Sequence, residues 1–534
     1  MTILDIYRSG NTYYGSYGRS SDLFATLWNL VQGDALAGDT IRLAGNTLYE
    51  ALGTLNHKSE VNLSSSGKLS GGTIDWTNST LPEYGRALNC SGGVLSYHSL
   101  QSDAIIGDNR IVVTDPAGII AGDLLLIGSL AVWKNNERNQ KQGELRYVSH
   151  VDGNVITLTE PLEDTYLAVN AQGDTIRRLN PIKNIVFNGV RFIDTKMGRN
   201  LSGPLFYYGA NIRVTNCFLS QIEESSVNFW TIRDGRVDNN YIEKSWMKGQ
   251  GYGVSFGWAC YNLLVDLNEI QNCRHNTAIG GGGGGGAYGV ARHLKYEHNT
   301  SRDSIWWDPT TGTFQNGEQM DCHNVGEDIQ FNYNDLSGRG DGLGGYGAYT
   351  VQYYKNVCHD LTGQGIGVCN PFAERILIQE NTIRNTGYYG IVLGAISPAL
   401  STKNVIVYKN DISNTTYDGI IVIDSSGTRI QGNKIRGATR YGILLYGTTK
   451  GTRTYENDLV GAGALALYQD EGTNNIHYNN LGLNDDIPTR KISYSSTPIP
   501  VDATINDFII PSGGYISVLD GEIVVLKFPI KVVV

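Results

Sequence analysis

Short apolar runs recur along the chain behind asparagines that stand at nearly regular intervals. The phrase Asn381-Thr-Ile-Arg-Asn-Thr-Gly-Tyr-Tyr-Gly-Ile-Val-Leu returns around Asn410 and around Asn433 with Gly-Ile-Ile-Val and Gly-Ile-Leu-Leu. Successive asparagines are 22 to 35 residues apart. A period in the twenties built from short β-type runs is typical of a solenoid, in which each repeat forms one coil. The series comprises Asn216, Asn240, Asn268, Asn299, Asn334, Asn356, Asn381, Asn410, Asn433, Asn457 and Asn480.

The length of the repeat fits one coil of a parallel β-helix. Three strands of about 4–5 residues and three turns fill such a period. Stacked coils place equivalent residues about 4.8 Å apart, so asparagines in register can bond to one another along the axis and cap a repeated bend. We therefore predict that the asparagines build the fold and take no part in chemistry.

The apolar runs also predict which side chains face the core. Alternation along a strand points Ile391, Ile420 and Ile443 inward. Their neighbours Val392 and Ile421, and with them Leu444, then lie on the outer face of the same sheet. Apolar residues on an outer face indicate that something covers it, and we expect a partner subunit there.

Changes of pattern divide the chain into five segments. The first is polar and suits a flexible or attachment segment, and the second opens with apolar residues at helical spacing that predict a short capping helix. The third breaks the coil pattern and predicts a small inserted antiparallel β module, and the last predicts a C-terminal β cap or oligomerisation segment. The expected segments are 1–20, 21–102 (helix and first coils), 103–180, 181–486 (main β-helix) and 487–534. The predicted fold class is all-β.

Composition excludes several functions. The net charge of −10 argues against a nucleic-acid groove, which would be basic, and against an anionic membrane surface. No apolar run approaches 18 residues, so we expect no membrane insertion. The N-terminus shows no signal-peptide pattern, and seven cysteines without a CxxC pair do not make a disulfide framework. We expect a protein that acts outside cells to leave by a signal-independent route, such as release in a virus particle.

Candidate chemistry concentrates in the widest coils. The spacings that follow Asn268 and Asn299 are 31 and 35 residues, so extra residues must loop out of the solenoid. The run Gly280 to Gly286 lies there, and it fits either a flexible loop or a flat trough where a polymer approaches the backbone.

The segment that follows Asn316 aligns with the later strand phrase when Gly317 is matched to Gly419. This alignment points Glu318 and Met320 inward, and Gln319 and Asp321 outward. The alternative is an alignment that is off by one residue, in which case the directions of Glu318 and Cys322 are reversed. The equivalent outward positions in neighbouring coils include Gly344 and Gly367. An outward carboxylate flanked by glycines suits a sugar-cleaving groove, and the alternative is an ordinary surface acid.

Further candidates follow from their offset to the asparagines. His275 and Asp341 each lie seven residues after their asparagine, which places them two coils and roughly 10 Å apart with Trp306 between them. Acids, an arginine and tryptophans on neighbouring coils suit carbohydrate chemistry. We expect the catalytic residues among Asp321, Asp303, Asp341, His275 and Arg339, and the substrate-binding residues among Trp306, Trp307, Asp308 and His323.

Two mechanisms remain open for these residues. Glycoside hydrolysis needs two carboxyls about 5–10 Å apart, for which Asp321 with Asp303 or Asp341 are the candidates. A lyase needs a base at a uronate, for which His275, His323 and Arg339 are the candidates, often with Ca²⁺ held by acids. Apart from that Ca²⁺, no metal site and no cofactor are predicted.

The repeats, together with the opening Ala37-Gly-Asp-Thr-Ile-Arg-Leu, resemble the right-handed parallel β-helix or pectate-lyase-like superfamily over residues 21–486. The inserted segment, with Gly122-Asp-Leu-Leu-Leu-Ile and Asn154-Val-Ile-Thr-Leu, resembles a module of phage tailspikes and depolymerases. The active-site motifs of polygalacturonases and of alginate epimerases are absent from the sequence.

The resemblance implies a homotrimeric virion tailspike or receptor-binding protein that binds and depolymerises a cell-surface polysaccharide. It would lie in the virion tail and join other tail proteins through its N-terminus. The alternatives are a non-enzymatic β-helical adhesin or structural tail fibre, and a cellular pectate-lyase-like enzyme that is exported without a standard signal.

Overall fold

The computed structural model describes residues 3–9, 12–15, 18–20, 24–135, 140–168, 175–196, 198–279, 289–322, 326–345, 348–368, 373–394, 402–483, 516–519 and 523–526. Most of them form a right-handed parallel β-helix, as the repeat predicts. Each coil passes through three strands, one on each of three faces. We name the faces A, B and C in the order in which the chain passes through them.

The strands of each face pair in parallel with the strands of the coils before and after. Face A consists of Leu55–Asn56, Arg86–Ser91, Tyr252–Phe256, His275–Ile279, Glu318–Cys322, Asp341–Gly345, Ile366–Val368, Ile391–Leu393, Ile420–Ile423, Tyr441–Tyr446 and Ala466–Asp470. Face B consists of Ile3–Ser9, Thr40–Leu43, Asn62–Ser64, Ile182–Asn188, Tyr261–Asp266, Ala291–Glu297, Gly326–Asn332, Ala348–Tyr354, Glu374–Gln379, Lys403–Tyr408, Arg429–Gln431, Arg453–Tyr455 and Ile476–Tyr478. Face C consists of Leu48–Glu50, Thr73–Asp75, Arg191–Ile193, Phe218–Ser220, Tyr241–Glu243, Glu269–Gln271, Thr300–Arg302, Asp335–Gly338, Val357–Leu361, Thr382–Thr386, Asp411–Thr415 and Lys434–Arg436. Two 14-residue strands, Ser202–Thr215 and Ser225–Asp238, run through faces A and B without a break.

A short helix lies near the start of the solenoid, where the apolar spacing predicts one. It spans Phe24–Asp34, and its side chains Trp28 and Val31 are fully buried. The indole Nε1 of Trp28 donates to the carbonyl oxygen of Asn56 at 2.8 Å, which fixes the helix against the strand Leu55–Asn56. Two short strands, Thr12–Gly15 and Gly18–Ser20, precede the helix. Within the described residues no helix is long and apolar enough to cross a membrane.

An antiparallel sheet of six strands interrupts the coils, as expected for the inserted module. It has its own apolar core, which includes Ile127, Ile156 and Tyr166. A single 3₁₀ turn, Trp133–Asn135, follows its third strand. The six strands are Gly93–Ser99, Arg110–Val112, Leu124–Val132, Lys141–Asp152, Val155–Leu158 and Thr175–Asn180.

Ion pairs join the inserted sheet to face B. The guanidinium of Arg292, which is fully buried, lies 2.6 Å from a carboxylate oxygen of Asp164 in the module and 3.0 Å from one of Glu327 on face B. Burying one of these charges alone would be costly, so the pairs hold the two parts in a fixed arrangement. The backbone N–H of Gly289 also donates to the carbonyl oxygen of Lys141.

Two further antiparallel pairs form separate two-stranded sheets, in addition to the antiparallel pairing among Ile3–Ser9, Thr12–Gly15 and Gly18–Ser20. One is a hairpin, Ile305–Asp308 with Thr313–Asn316, at the corner between faces C and A. The other, Ile516–Leu519 with Ile523–Leu526, belongs to a separate compact unit over residues 486–534.

A continuous ladder of asparagines runs along the corner that precedes face C. The side-chain oxygen of Asn381 accepts from both the backbone N–H and the amide Nδ2 of Asn356, at 2.9 and 3.0 Å. In turn the Nδ2 of Asn381 donates to the carbonyl oxygen of Tyr353 and to the side-chain oxygen of Asn410. The same bonds repeat through Asn240, Asn268, Asn299, Asn334, Asn356, Asn381, Asn410, Asn433, Asn457 and Asn480. The structural role predicted for these asparagines is confirmed.

The prediction for the first asparagine of the series was wrong. Asn216 lies one position before the ladder, because Cys217 rather than Asn216 donates its backbone N–H to Asn240 Oδ1. Asn216 instead has a φ of 53°, close to the 54° of Asn239 in the next coil. An asparagine tolerates this left-handed conformation well, so the bend selects it for a second physical reason.

Both faces of the late strands are buried. Ile391, Ile420 and Ile443 belong to the main core, as predicted. Val392 and Ile421 are each only 4% exposed and pack in a second cluster with Leu444 and the partly buried Tyr389 and Tyr441. The covering of this outer face therefore does not need the partner subunit that we expected.

We predict that Asn381→Ala destabilises the protein by about 2–4 kcal/mol. The substitution removes an acceptor for the N–H of Asn356 and a donor to Tyr353, and a buried group left without its bond costs about 1–3 kcal/mol. Thermal and denaturant unfolding measure the loss. The control is Arg384→Ala, which removes an exposed side chain on face C. Equal stability of the two variants would contradict the role of the ladder.

Candidate functional site

A row of polar residues marks the start of the face A strands in the widened coils. His275 pairs directly with Glu318 on the next strand, and Glu318 pairs with Asp341 on the strand after it. His275 and Asp341 therefore occupy one coil position two coils apart, as predicted. The residue between them is Glu318, and the prediction of Trp306 there was wrong because Trp306 lies in the hairpin at the corner.

Glu318 and Asp321 lie on the same side of their strand. The Nδ1 of His275 is 3.6 Å from a carboxylate oxygen of Glu318 and 3.3 Å from one of Asp321. The inward prediction for Glu318 and the outward prediction for Gln319 were wrong, because Gln319 is fully buried and donates to the carbonyl oxygen of Ser337. Strict alternation fails where the chain turns into the strand.

The register explains part of the error. Met320 pairs with Leu343 and, through successive strands, with Ile420, so the partner of Gly419 is Gln319 and not Gly317. The alignment from sequence was two residues out. An even slip preserves the parity of a strand, and Met320 therefore does point into the core, as predicted.

Burial changes the protonation of two carboxyls in the row. Desolvation raises the pKa of Asp321 from 3.8 to about 7, and a hydrogen bond with Glu318 and the charge of Arg274 oppose the rise. Desolvation also raises the pKa of Asp341 to about 6, against a bond from the backbone N–H of Gln364. Asp321 is fully buried, so the interpretation as an ordinary surface acid was wrong.

The exposed fraction separates residues that a ligand can touch from residues that support them. The side chain of Glu318 is 19% exposed, while those of His275 and Asp321 are 6% and 0% exposed. Asp341 is also only partly buried. Glu318 and Asp341 thus form the accessible layer, and Asp321 and His275 lie behind Glu318.

A row of glycines lies at the corner beside these carboxyls. Gly317, Gly340 and Gly363 follow one another on successive coils, and we call this row the glycine trough. A Cβ on Gly363 would collide with Oδ1 of Asp341, and one on Gly317 would collide with the backbone of Arg274. The glycines of the trough therefore allow the observed position of Asp341 and the close packing of successive coils at this corner.

The aromatic candidates lie in the hairpin at the corner. Trp306 and Trp307 are partly exposed, Trp307 packs on Phe314, and Lys248 lies over the ring of Trp306. The Nζ of Lys248 also forms an ion pair with Oδ1 of Asp308, at 3.3 Å. The hairpin ends at Asn316 and leads through Gly317 into Glu318, so it lies at the N-terminal end of that strand.

Two predicted catalytic residues have other bonds. Arg339 donates from Nη2 to the carbonyl oxygen of Phe314 and from Nε to Asn316, which ties the hairpin to the next coil. Asp303 accepts the backbone N–H of Arg339 at 2.9 Å, in a turn. The structure brings together His275, Asp321 and Asp341 of the predicted set. His323 and the run Gly280 to Gly286 lie outside the described residues.

The same cluster has the geometry of a small metal site. His275, Glu318 and Asp321 each offer one ligand atom, and these atoms lie within 4.8 Å of one another. An imidazole nitrogen with two carboxylates suits Zn²⁺ or Mn²⁺ better than Ca²⁺, which takes 6–8 oxygen ligands. The group therefore does not match the Ca²⁺ site expected for a lyase.

Comparison with known proteins supports the fold. Residues 298–459 match the family described as right handed beta helix region. The structure is similar to the tailspike protein gp49 from Pseudomonas phage LKA1, with a TM-score of 0.57 and 16% identity over 86% of this chain and 74% of that one. It is also similar to the tailspike gp61 of Pseudomonas phage phi297, with a TM-score of 0.51 and 14% identity over 80% and 74%. A comparison with curated protein sequences finds no match.

These likenesses define a class of fold. The chain is an all-β right-handed β-helix with an added antiparallel sheet, and its structural neighbours include phage tailspike proteins. At sequence identities of 14–16%, the similarity to these structures supports the fold alone, and the chemistry must be argued from the site.

We predict that Asp321 makes the protein less stable as the pH rises from about 4 to about 7. The native carboxyl keeps its proton over this window and the unfolded one does not, so stability present below pH 4 is progressively lost. This rise in the pKa of Asp321 corresponds to a loss of stability on the order of 4 kcal/mol. Denaturant unfolding at several pH values measures it, and Asp321→Asn should flatten the curve. An unchanged slope, equal to that of the exposed Glu269→Gln control, would contradict the raised pKa.

Proposed function

We propose that the protein binds a polysaccharide along face A and hydrolyses it, with Glu318 and Asp341 as the catalytic pair. One observation carries the proposal: two partly exposed carboxyls lie on neighbouring strands beside the glycine trough, and a buried third carboxyl supports one of them. Neighbouring strands are about 4.8 Å apart, which is within reach of the separation that glycosidases use.

The geometry divides the roles between the two carboxyls. Glu318 shares a hydrogen bond with Asp321, which keeps a proton up to about pH 7, so the pair holds a transferable proton near neutrality. Glu318 gives this proton to the glycosidic oxygen as the bond from that oxygen to the sugar carbon breaks. Asp341 either takes a proton from the attacking water or attacks the sugar carbon itself, and the anomer of the product distinguishes the two routes.

Asp321 and His275 are positioning residues in this proposal. Both are buried behind Glu318, and the 3.3 Å between His275 Nδ1 and Asp321 fixes the orientation of the cluster. After Glu318 has lost its proton, the nearby imidazole stabilises the added negative charge.

The fold supports a biological setting for the site. Similarity to two phage tailspikes favours a bacterial cell-surface polysaccharide as substrate and a place in a virion tail. On the same ground we propose that the protein is a homotrimer that joins other tail proteins through its N-terminal segment. Sedimentation equilibrium of the full chain should give three times the mass of one chain, and a monomer would contradict this assembly.

Two other functions are outcomes of the same experiment. A lyase would use His275 as the base and would leave unsaturated sugar ends. A non-enzymatic adhesin or tail fibre would bind the polymer and release nothing.

Product analysis tests the proposal directly. The protein is incubated with a panel of bacterial surface polysaccharides, and mass spectrometry should find oligosaccharides that carry one added water per cut. Glu318→Gln and Asp341→Asn should each lower the rate by about 10²–10⁴-fold, the usual effect of losing a general acid or base. The matched control is Glu269→Gln, an exposed carboxyl on face C.

Unsaturated products, or binding without any cleavage, would overturn the hydrolase. A chelator separates the two uses of the cluster. Hydrolysis by the carboxyl pair should be unchanged in EDTA, whereas loss of activity and its rescue by Zn²⁺ or Mn²⁺ would assign His275, Glu318 and Asp321 as metal ligands.

A further inference from the structure

A second polar cluster continues the line of the site toward the C-terminal coils. Successive backbone bonds run from Gly363 to Gly340, from Tyr388 to Gly363, from Tyr417 to Tyr388 and from Arg440 to Tyr417. The row that forms the glycine trough therefore continues as Tyr388, Tyr417 and Arg440, which we call the Tyr–Arg column. With about 4.8 Å between coils, Arg440 lies roughly 20 Å from Gly340.

The column presents stacked faces and a cation to solvent. The rings of Tyr388 and Tyr417 are 5.7 Å apart and nearly parallel, at 17°, and Tyr388 is 51% exposed. The guanidinium carbon of Arg440 lies 5.7 Å from the centre of the Tyr417 ring and 5.6 Å from that of Tyr441. An exposed ring face suits the apolar face of a sugar, and a guanidinium suits a carboxylate.

A buried acid fixes the direction of the arginine. Oδ1 of Asp418, which is fully buried, lies 3.4 Å from Nε of Arg440 and also accepts the backbone N–H of Tyr441. Nε is thereby engaged, while the side chain of Arg440 as a whole remains 36% exposed. The two Nη atoms are then the pair that can bond a carboxylate in two places.

We propose that the Tyr–Arg column is a binding subsite for an acidic sugar of the same polymer. The column shares one row with the glycine trough, so a chain that runs along the solenoid axis reaches both. Arg274 holds the equivalent position on the opposite side of the trough. Arg274 and Arg440 thus place a cation at each end of this row. In a protein with a net charge of −10, these two cations favour a polymer with repeated carboxylates. This inference rests on the proposed function for the identity of the polymer.

Binding measurements with charged and neutral forms of one polymer test the subsite. The probes are polygalacturonate, alginate, hyaluronan and polysialic acid, each compared with its carboxyl-reduced form. Biolayer interferometry is done on the full chain with Glu318→Gln, so that the result does not depend on cleavage. We expect binding to at least one acidic form, and at least tenfold weaker binding to its reduced form.

Variants assign the effect to the column. Tyr388→Ala should weaken binding of the acidic polymer at least tenfold, and Arg440→Gln should do the same but have no effect on the reduced form. Arg440→Lys keeps the charge beside Asp418 and should give an intermediate loss. The controls are Tyr333→Ala, an exposed tyrosine stacked on His298 at another corner, and Arg384→Gln on face C.

The proposal is overturned if no acidic probe binds, if acidic and reduced forms bind equally, or if Arg440→Gln binds as tightly as the parent chain. A failure of the proposed hydrolase activity would give a different result. In that case the unsubstituted chain cuts nothing, while the losses caused by Tyr388→Ala and Arg440→Gln remain.

Discussion

Register between successive coils is the constraint on which the rest of the structure depends. A parallel β-helix gains its packing only when equivalent residues of each coil stack at one strand spacing. Here a buried row of ten asparagines imposes that register, because nine of the side-chain oxygens each accept two bonds from the coil before, and that of Asn240 accepts one. A slip of one coil by a residue would leave these groups unpaired in the core and would turn apolar side chains outward.

The fixed register also builds the site. Because coils stack without slip, residues 43 and 23 positions apart in sequence, His275, Glu318 and Asp341, meet on adjacent strands. The extra residues of the widest described coil form the hairpin 305–316 at the corner and leave the core unchanged. The inserted sheet, held by the buried Arg292, contacts Gly289 at the start of the next face B strand. The solenoid thus supplies rigid spacing, and the hairpin lies at the end of the strand that carries Glu318.

The fold was predictable from sequence because the same coil pattern recurs many times along the chain. Ten of the eleven asparagines stand where the period places them, and Asn216 fails because the bend before the ladder also favours asparagine. The site was only partly predictable. Offsets from the ladder placed His275 and Asp341 in one row, but strict alternation put Glu318 on the wrong side.

Alternation fails where a turn enters a strand, since Gln319 and Met320 are both buried there. The hydrogen bonds of Arg339 and the burial of Asp321 depend on contacts between coils, which the spacing of residues in sequence does not contain. The row of Tyr388, Tyr417 and Arg440 could have been found, because all three follow their ladder asparagine by seven residues.

A crystal structure of the Glu318→Gln chain with a bound oligosaccharide of a polymer that it recognises tests the central claim most directly. We expect a sugar chain along the solenoid axis, with a glycosidic oxygen within hydrogen-bond distance of residue 318 and a ring above the glycine trough. An oligosaccharide bound on face B or face C, away from Glu318 and Asp341, would contradict it.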